Sequence, residues 1–276
     1  MRIHFSKMHG LGNDFVVINS ITQEFTPTTE QCRTIADRRF GIGCDQVLLI
    51  QKPLNQDMDF QYRIFNQDGT EVEQCGNGAR CVAKFVRDQG LTTKDEIAIE
   101  TLAGPVRLFM DPDGQVRVNM GQPHLKPQDV PFVAGQLRLR YPLTIDGEII
   151  EIGVASMGNP HAVIQVNDIE QAPVKRMGPR IETHSRFPKN TNVGFMQVIS
   201  RQHIRLRVHE RGVGETLACG TGACAAAVVG NHQGLLDSTV RVQLPGGDLK
   251  IEWAGAGQPV WMTGPAVLVF NGEIEI

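Results

Sequence analysis

A segment that occurs twice at a nearly constant offset constrains the fold of this chain more than any other feature of its sequence. Cys75-Gly76-Asn77-Gly78-Ala79 returns 144 residues later as Cys219-Gly220-Thr221-Gly222-Ala223. Four further matches keep the same order in both halves, at offsets of 143 to 146: Gly12-Asn13-Asp14 with Gly158-Asn159-Pro160, Arg63-Ile64-Phe65-Asn66 with Arg207-Val208-His209-Glu210, Glu71 with Glu215, and Val116–Gly121 with Val260–Gly264. Self-similarity at a fixed period indicates a duplicated structural unit.

The repeat divides the 276 residues into two similar domains, which we predict at 1–130 and 131–276. Each half has the usual size of a domain. The stretch from Gln122 to Gly135 contains proline and glycine and is the predicted crossover. The exact boundary, and an exchange of the terminal strand between the halves, stay open at this point.

Short apolar runs bounded by turn residues predict that both halves consist mostly of β-strands. The predicted strands are 16–18, 47–50, 60–65, 97–101 and 106–110 in the first half, and 162–166, 193–198, 204–208, 240–244 and 249–253 in the second. Helices are predicted from Thr29 to Arg39, with Thr28 or Thr29 as N-cap, and just after each repeated cysteine. The helix after Cys219 is rich in alanine and nearly uncharged, which is typical of a helix buried on all sides. We predict an α+β fold of two pseudo-symmetric domains, each a curled, barrel-like mixed or antiparallel β-sheet around a central helix.

Charge and cysteine spacing exclude several classes of partner and site. With 27 Lys and Arg against 30 Asp and Glu, the formal charge of −3 gives no bulk attraction for nucleic acid or for an anionic membrane. No apolar run approaches the length of a transmembrane helix, and no secretory signal precedes the cysteines, so we expect a cytoplasmic protein with reduced thiols. The close cysteine pairs are spaced Cys-x5-Cys and Cys-x4-Cys rather than Cys-x2-Cys, so no metal is expected.

The two repeated cysteines, Cys75 and Cys219, each precede the first turn of a predicted helix. The free N–H groups and the dipole of a helix make this position electropositive, which lowers the pKa of a thiol and favours the thiolate. The glycines that follow let the backbone approach a ligand and present amides to an anion. The remaining cysteines lack this setting and are predicted to be packed core residues: Cys32, Cys44, Cys81 and Cys224.

Two activated thiols related by a duplication indicate acid–base chemistry at a carbon atom. A thiolate can remove a proton from one face while a thiol returns a proton to the other, which inverts the configuration. The helix N-termini would stabilise the negative charge that develops on a substrate carboxylate. A non-catalytic alternative is a redox-sensing protein in which Cys75 and Cys219 form a disulfide.

Five segments that together span nearly the whole chain closely resemble the diaminopimelate epimerase family. They are Gly10-Leu11-Gly12-Asn13-Asp14-Phe15, Asp37–Gln46, Glu73–Cys81, Gly158-Asn159-Pro160-His161 and Glu210–Gly222. The resemblance implies the two-domain fold of that family, a homodimer, no cofactor, and inversion of LL-2,6-diaminopimelate to meso-diaminopimelate on the route to lysine and peptidoglycan.

The resemblance also implies a role for individual residues. Cys75 and Cys219 correspond to the catalytic acid and base pair, and His161 and Glu210 to residues that adjust the pKa values of the cysteines. The implied substrate-binding residues are Asn13, Gln46, Asn66, Gly76, Asn77, Asn159, Asn192, Glu210, Arg211, Gly220 and Thr221.

One asymmetry between the halves bears on the substrate. The repeat pairs Asn66 with Glu210 and Gln67 with Arg211, so the second half has a glutamate and an arginine where the first has two amide side chains. A glutamate and an arginine can bind the ammonium and carboxylate of a second amino-acid centre, which diaminopimelate has and proline lacks. This pair disfavours the alternative within the same fold, a proline or hydroxyproline racemase with two cysteines. The two cysteines themselves disfavour the thiol-free isomerases related to phenazine synthesis.

Overall fold

The computed structural model describes residues 1–72 and 76–276. The predicted catalytic Cys75 lies outside the described residues, as do Glu73 and Gln74. The α-helices are α1 (Thr29–Ala36), α2 (Gly76–Asp88), α3 (Val174–Glu182) and α4 (Gly220–His232). The strands are β1 (Arg2–Gly10), β2 (Asn13–Asn19), β3 (Gln46–Gln51), β4 (Phe60–Asn66), β5 (Glu71–Val72), β6 (Glu96–Thr101), β7 (Gly104–Met110), β8 (Val116–Asn119), β9 (Tyr141–Ile145), β10 (Glu148–Ser156), β11 (Pro160–Gln165), β12 (Asn192–Ser200), β13 (His203–Glu210), β14 (Gly214–Thr216), β15 (Thr239–Leu244), β16 (Gly247–Trp253), β17 (Val260–Gly264) and β18 (Val267–Glu275).

The chain divides into two compact units. Unit 1 consists of Met1–Asn119 with Thr263–Ile276, and unit 2 of Met120–Met262. The crossover therefore lies earlier than the predicted boundary between residues 130 and 131, and the C-terminal segment returns to the first unit. The return has a direct cause, because β18 pairs antiparallel with β1 along almost its full length.

The sheet of unit 1 mixes antiparallel and parallel pairs. β1 pairs antiparallel with β2, and β2 lies parallel to β3. β4 runs antiparallel to β3 and to β5 but parallel to β6. β6 pairs antiparallel with β7, and β7 pairs antiparallel with β8. Parallel neighbours need a crossover connection, usually a helix. In unit 1 the helix α1 joins β2 to β3, and α2 lies between β5 and β6.

From β10 to β16, unit 2 repeats the topology that unit 1 has from β1 to β7. β10 and β11 are antiparallel, β11 and β12 parallel, and β13 is antiparallel to β12 and β14 but parallel to β15. β15 then pairs antiparallel with β16. The outer neighbour of β10 is β9, in the place that β18 occupies beside β1. The helices α3 and α4 provide the two crossovers. The α+β fold of two duplicated halves is therefore confirmed.

Each sheet curls around its second crossover helix. In unit 1, α2 contacts β1, β2 and β3 at one end of the strand order and β7 and β8 at the other. In unit 2, α4 contacts strands from β10 to β16. Every residue of α4 from Gly222 to Gly230 is buried, as its alanine-rich sequence predicts. Because both helices are enclosed, the residues at their N-termini are held by packing on several sides.

The helix α1 begins as predicted but ends earlier. Thr28 is the N-cap of a capping box, in which its hydroxyl accepts from the Gln31 N–H and the Gln31 side chain accepts from the Thr28 N–H. The predicted end at Arg39 is wrong, because the backbone at Asp37 is extended and no longer helical. The Asp37 carboxylate accepts the N–H groups of Arg39 and Phe40 at 2.7 Å each and stabilises this turn.

In the described part of the chain, no helix has the length and apolar character needed to cross a membrane.

Candidate functional site

Cys219 is the N-cap of α4, as predicted. Its backbone is extended, with φ −120° and ψ 106°, and the helix begins at Gly220. The residue is only 3% exposed. A Cβ atom at Gly222 would lie 3.2 Å from the Cys219 Sγ and 3.0 Å from a methyl of Val208. The first turn of α4 is therefore tightly packed at Gly222, where a larger residue would push against the Cys219 thiol and Val208.

The protonation of Cys219 differs from the prediction. The helix N-terminus was expected to lower its pKa, but the pKa of the Cys219 thiol is raised well above its usual value. Burial is the main cause, and the Glu210 carboxylate adds to it. Hydrogen bonds from the Thr221 hydroxyl, 3.6 Å from the Sγ, and from the Gly222 N–H oppose the shift without cancelling it. Cys219 is consequently a protonated thiol at neutral pH.

Glu210 lies at the end of β13, where the strand turns into β14. Thr216 donates a hydrogen bond to its Oε1 across this hairpin. The hydroxyl fixes the carboxylate in a position from which it acts on Cys219. Thr216 is part of this arrangement, although the sequence analysis does not predict a role for it. The available signal is its place next to Glu215, which matches Glu71 in the repeat.

A hydrogen-bonded chain connects His161 with Cys219. The His161 Nε2 lies 3.0 Å from the Asn159 Oδ1, and the Asn159 Nδ2 donates to the Thr221 Oγ1 at 3.4 Å. His161 is almost fully buried, and burial, with the nearby Arg211 charge, lowers its pKa to about 3. The ring is therefore neutral at pH 7, and since Asn159 Oδ1 only accepts, the Nε2 carries the hydrogen. Three predicted residues thus act on one another in unit 2.

Asn192 and Arg211 are joined through the backbone. The Asn192 Oδ1 accepts from the Arg211 N–H at 3.0 Å, and its Nδ2 donates to the Pro160 carbonyl at 3.0 Å. The Arg211 Nη1 donates to the Lys189 carbonyl at 3.0 Å. Asn192 therefore links β11 and β12 to the turn after β13. Its amide is bonded within the protein and holds the backbone of Arg211 in place.

The predicted residues of unit 1 form two polar groups. The Gln46 Nε2 donates to the Asn66 Oδ1 at 2.9 Å across β3 and β4, and Asn66 donates to the Thr70 hydroxyl. Separately, the Asn77 Nδ2 in the first turn of α2 donates to the Asn13 Oδ1 at 3.1 Å. Gly76 is the first residue of α2.

A matching ion pair precedes each helix and was not recognised as a pair from the sequence. Arg63 binds Glu71 with its Nε and Nη2 at 2.6 and 2.7 Å, and Arg207 binds Glu215 in the same way at 2.6 and 3.0 Å. Each bidentate pair joins the two strands that lead towards a repeated cysteine. We call these pairs the clasps. The signal was present, since both partners match in the repeat.

The remaining cysteines are buried, as predicted: Cys32, Cys44, Cys81 and Cys224. Burial raises the pKa of Cys32 to about 11 and that of Cys44 to about 12. Cys219 is buried as well, so burial does not separate it from these four. Its position at a helix N-terminus, next to Glu210 and Thr221, does.

Comparison with known proteins identifies the family. The family model described as diaminopimelate epimerase matches residues 5–126 and 153–269. The chain is 63% identical over 278 residues to the diaminopimelate epimerase of Thioalkalivibrio sulfidiphilus, 58% over 276 to that of Teredinibacter turnerae and 54% over 276 to that of Pseudomonas aeruginosa. These alignments cover 100% of this chain and 100% of each relative.

Solved structures of lower identity share the fold. A phenazine biosynthesis protein of the PhzF family from Bacillus anthracis matches with a TM-score of 0.73 at 16% identity over 100% of both chains. A hydroxyproline epimerase from Agrobacterium vitis matches with a TM-score of 0.70 at 17% identity, over 99% of this chain and 92% of that one. These likenesses establish the architecture only, whereas the family follows from the sequence relatives: the chain belongs to the diaminopimelate epimerase family.

Proposed function

We propose that the protein is an isomerase that converts LL-2,6-diaminopimelate to meso-diaminopimelate by a two-base mechanism without pyridoxal phosphate or metal. The observation that carries this proposal is the full-length identity of 54 to 63% to proteins named diaminopimelate epimerase. The reaction belongs to the biosynthesis of lysine and peptidoglycan, and we place it in the cytoplasm, where thiols stay reduced.

Cys75 and Cys219 are the proposed acid–base pair. In one direction Cys75, as thiolate, removes the α-proton, and Cys219, as thiol, delivers a proton to the opposite face of the planar carbanion. The products are a Cys75 thiol and a Cys219 thiolate, so the reverse reaction starts with the roles exchanged. The raised pKa of Cys219 supports its assignment as the initial acid.

Several groups act on this chemistry from nearby. The backbone N–H groups of Gly76-Asn77 and Gly220-Thr221, at the N-termini of α2 and α4, are proposed to bind the carboxylate of the reacting centre and to stabilise the carbanion. Glu210 favours the thiol form of Cys219. Neutral His161 acts on Cys219 through the Asn159–Thr221 chain.

Binding of the distal amino-acid centre is assigned to Arg211 and Glu210. The guanidinium pairs with the carboxylate and the glutamate accepts from the ammonium. Polar amide side chains complete the proposed binding set: Asn13, Gln46, Asn66, Asn159 and Asn192. The alternatives leave these residues unexplained. Proline has no distal amino-acid centre for Glu210 and Arg211 to bind, and a redox sensor does not need the amide side chains.

The reaction is tested directly in heavy water. LL-diaminopimelate incubated with the reduced protein and no added cofactor should give meso product with deuterium at the inverted α-carbon, observed by NMR. Neither inversion nor deuterium uptake would refute the proposal. Turnover of proline in place of diaminopimelate would move the assignment to the racemase alternative.

The two cysteines are tested by single substitutions. Cys75→Ala and Cys219→Ala should each abolish inversion, because either variant retains only one of the two proton-transfer groups. Cys224→Ala is the matched control, since it removes a buried thiol of α4 that has no proposed role, and should retain turnover. Normal inversion in either catalytic variant would contradict the role of that cysteine.

A further inference from the structure

A fully buried charge in unit 1 has no part in the proposed chemistry. Arg80 lies on α2 and has no exposed surface. Burying a cation is costly unless its N–H groups are bound. Its Nε donates to the Pro265 carbonyl at 3.2 Å and its Nη2 donates to the Asn77 Oδ1 at 3.0 Å. The cation therefore holds the side chain of Asn77, a residue whose backbone N–H is proposed to bind the substrate.

The hydrogen bonds continue from Asn77 to a carboxylate. The Asn77 Nδ2 donates to the Asn13 Oδ1 at 3.1 Å, and the Asn13 Nδ2 donates to the Asp45 Oδ2 at 2.8 Å. The four side chains form a sequence in which every donor points the same way, from Arg80 through the two amides to Asp45. We call it the amide chain.

The charged ends determine how the amides are oriented. A guanidinium only donates and a carboxylate only accepts, so Asn77 must present its oxygen to Arg80 and Asn13 its nitrogen to Asp45. A flip of either amide would place two donors or two acceptors against each other. Charge-assisted hydrogen bonds at both ends make the flip more costly than between neutral groups.

Asp45 is itself held in place on its outer side. Its Oδ1 accepts from the Arg38 Nη2 at 2.8 Å, and its Oδ2 also accepts from the Asp14 N–H at 3.1 Å. The Asp14 carboxylate accepts from the Asp45 N–H at 2.9 Å. Burial raises the pKa of Asp14, but hydrogen bonds from Arg38 and Lys7 outweigh it and hold the pKa at about 2. Asp14 therefore keeps its negative charge at neutral pH.

Unit 2 holds the corresponding asparagine differently. Asn159, which matches Asn13 in the repeat, lies between neutral His161 and the Thr221 hydroxyl. That chain leads to the Cys219 thiol, whereas the amide chain of unit 1 ends at a guanidinium and at a carboxylate group.

We propose that Asp45 and Arg80 are positioning residues, which act through the side chains of Asn13 and Asn77 to hold the Asn13 amide and the Asn77 backbone N–H in one orientation towards the substrate. The inference rests on the proposed function for the substrate contact, and on the geometry of unit 1 alone for the amide chain. Neither residue belongs to the binding set implied by the family resemblance.

Asp45→Asn is the primary test, because asparagine has the shape of aspartate but only one acceptor oxygen, whereas the carboxylate has two. Either Arg38 or Asn13 then faces an N–H group. We expect kcat/KM for LL-diaminopimelate to fall about tenfold, mainly through KM, with little change in the urea midpoint of unfolding. Asp95→Asn removes an exposed carboxylate of the same unit that binds Arg87, and should leave kcat/KM unchanged.

Two further measurements separate positioning from a general structural effect. In an Asn13→Ala background, Asp45→Asn should cause no additional loss of kcat/KM, since its route to the substrate is already removed. A loss that simply adds to that of Asn13→Ala would overturn the inference.

The second measurement needs no catalysis and so stands even if the proposed function fails. The side-chain amide signals of Asn77, assigned by their loss in Asn77→Ser, should shift in the NMR spectrum of Asp45→Asn. The shift should disappear in the Asn13→Ala background. Arg80→Lys keeps the positive charge but cannot donate to both the Pro265 carbonyl and Asn77 as the guanidinium does, so it should shift the Asn13 amide signals. Unchanged Asn77 signals in Asp45→Asn would refute the amide chain.

Discussion

At the residue scale, the protonation of Cys219 depends on opposing effects on the pKa of its thiol. The helix N-terminus, Thr221 and Gly222 favour the thiolate, whereas burial and the Glu210 carboxylate favour the thiol and prevail. A glutamate beside the thiol suits the proposed role of Cys219 as proton donor, because such a group must be protonated before it can donate. The same carboxylate is proposed to accept from the distal ammonium, so substrate binding and thiol protonation share one group.

Glu210→Gln should lower the pKa of Cys219, because the negative charge that opposes the thiolate is removed. The profile of Cys219 alkylation by iodoacetamide against pH should move to lower pH, with about a tenfold higher rate at pH 8 for a fall of about one pKa unit. The Thr216 hydroxyl can still donate to the amide oxygen, so the hairpin is preserved.

Peptide-resolved mass spectrometry would follow Cys219 separately from the other thiols. Glu170→Gln is the matched control in unit 2, since that exposed carboxylate pairs with Arg205, and its profile should not move. A Glu210→Gln profile that coincides with the wild type would show that burial alone sets the pKa.

At the element scale, the helices that carry the site are positioned by the strands before them. The clasps join β4 to β5 and β13 to β14, and each ion pair is partly buried and bidentate. Such pairs are stronger than single surface contacts because two parallel hydrogen bonds fix the geometry. The clasps therefore fix the strand pairs that precede α2 and α4 in the sequence.

Arg207→Lys and Arg63→Lys should each lower the free energy of unfolding by about 1–2 kcal/mol, because lysine keeps the charge but cannot make the two parallel bonds. Urea unfolding measures the change. Arg241→Lys is the matched control, since its pair with Asp248 is more exposed and worth less than about 1 kcal/mol. An equal loss in all three variants would contradict a special role for the clasps.

The helix α3 is an element that the sequence patterns do not predict. It is the counterpart of α1, but Gly178 and Pro179 interrupt its helical pattern, and it was not predicted. The glycine is required by packing, because a Cβ atom there would lie 2.6 Å from the His209 ring. The same His209 bonds to Glu182 at the end of α3, whose other oxygen accepts from the Gly212 N–H at 2.8 Å. The residues that weaken the helix pattern are those that let α3 support the turn after Glu210.

At the scale of the whole molecule, β18 carries an uncovered apolar stretch. Val267, Leu268, Val269 and Phe270 are all exposed in the single chain. Successive side chains of a strand point to opposite faces, so a run of four exposed apolar residues leaves both faces uncovered. We propose that this stretch contributes to the homodimer that the family resemblance implies, with Phe270 as a contact residue.

Phe270→Asp should therefore shift the protein from dimer to monomer, because a carboxylate cannot be buried in an apolar interface without a partner. Light scattering coupled to size exclusion would measure the mass of each species. Leu54→Asp, at an exposed leucine outside the strands, is the control and should stay dimeric. A monomeric wild-type protein, or a Phe270→Asp variant that remains a dimer, would contradict this assignment.

Sequence alone determined the duplication, the α+β fold, the family and the position of Cys219 at a helix start, because each depends on local patterns that recur at a fixed offset. Only the tertiary structure decided that residues 263–276 return to unit 1, since pairing of β18 with β1 joins the two ends of the chain. The direction of the Cys219 pKa shift also depends on packing, because burial and Glu210 act through space. The amide chain is of the same kind: Asp45, Asn13, Asn77 and Arg80 come from three separate segments, and only the folded unit makes them neighbours.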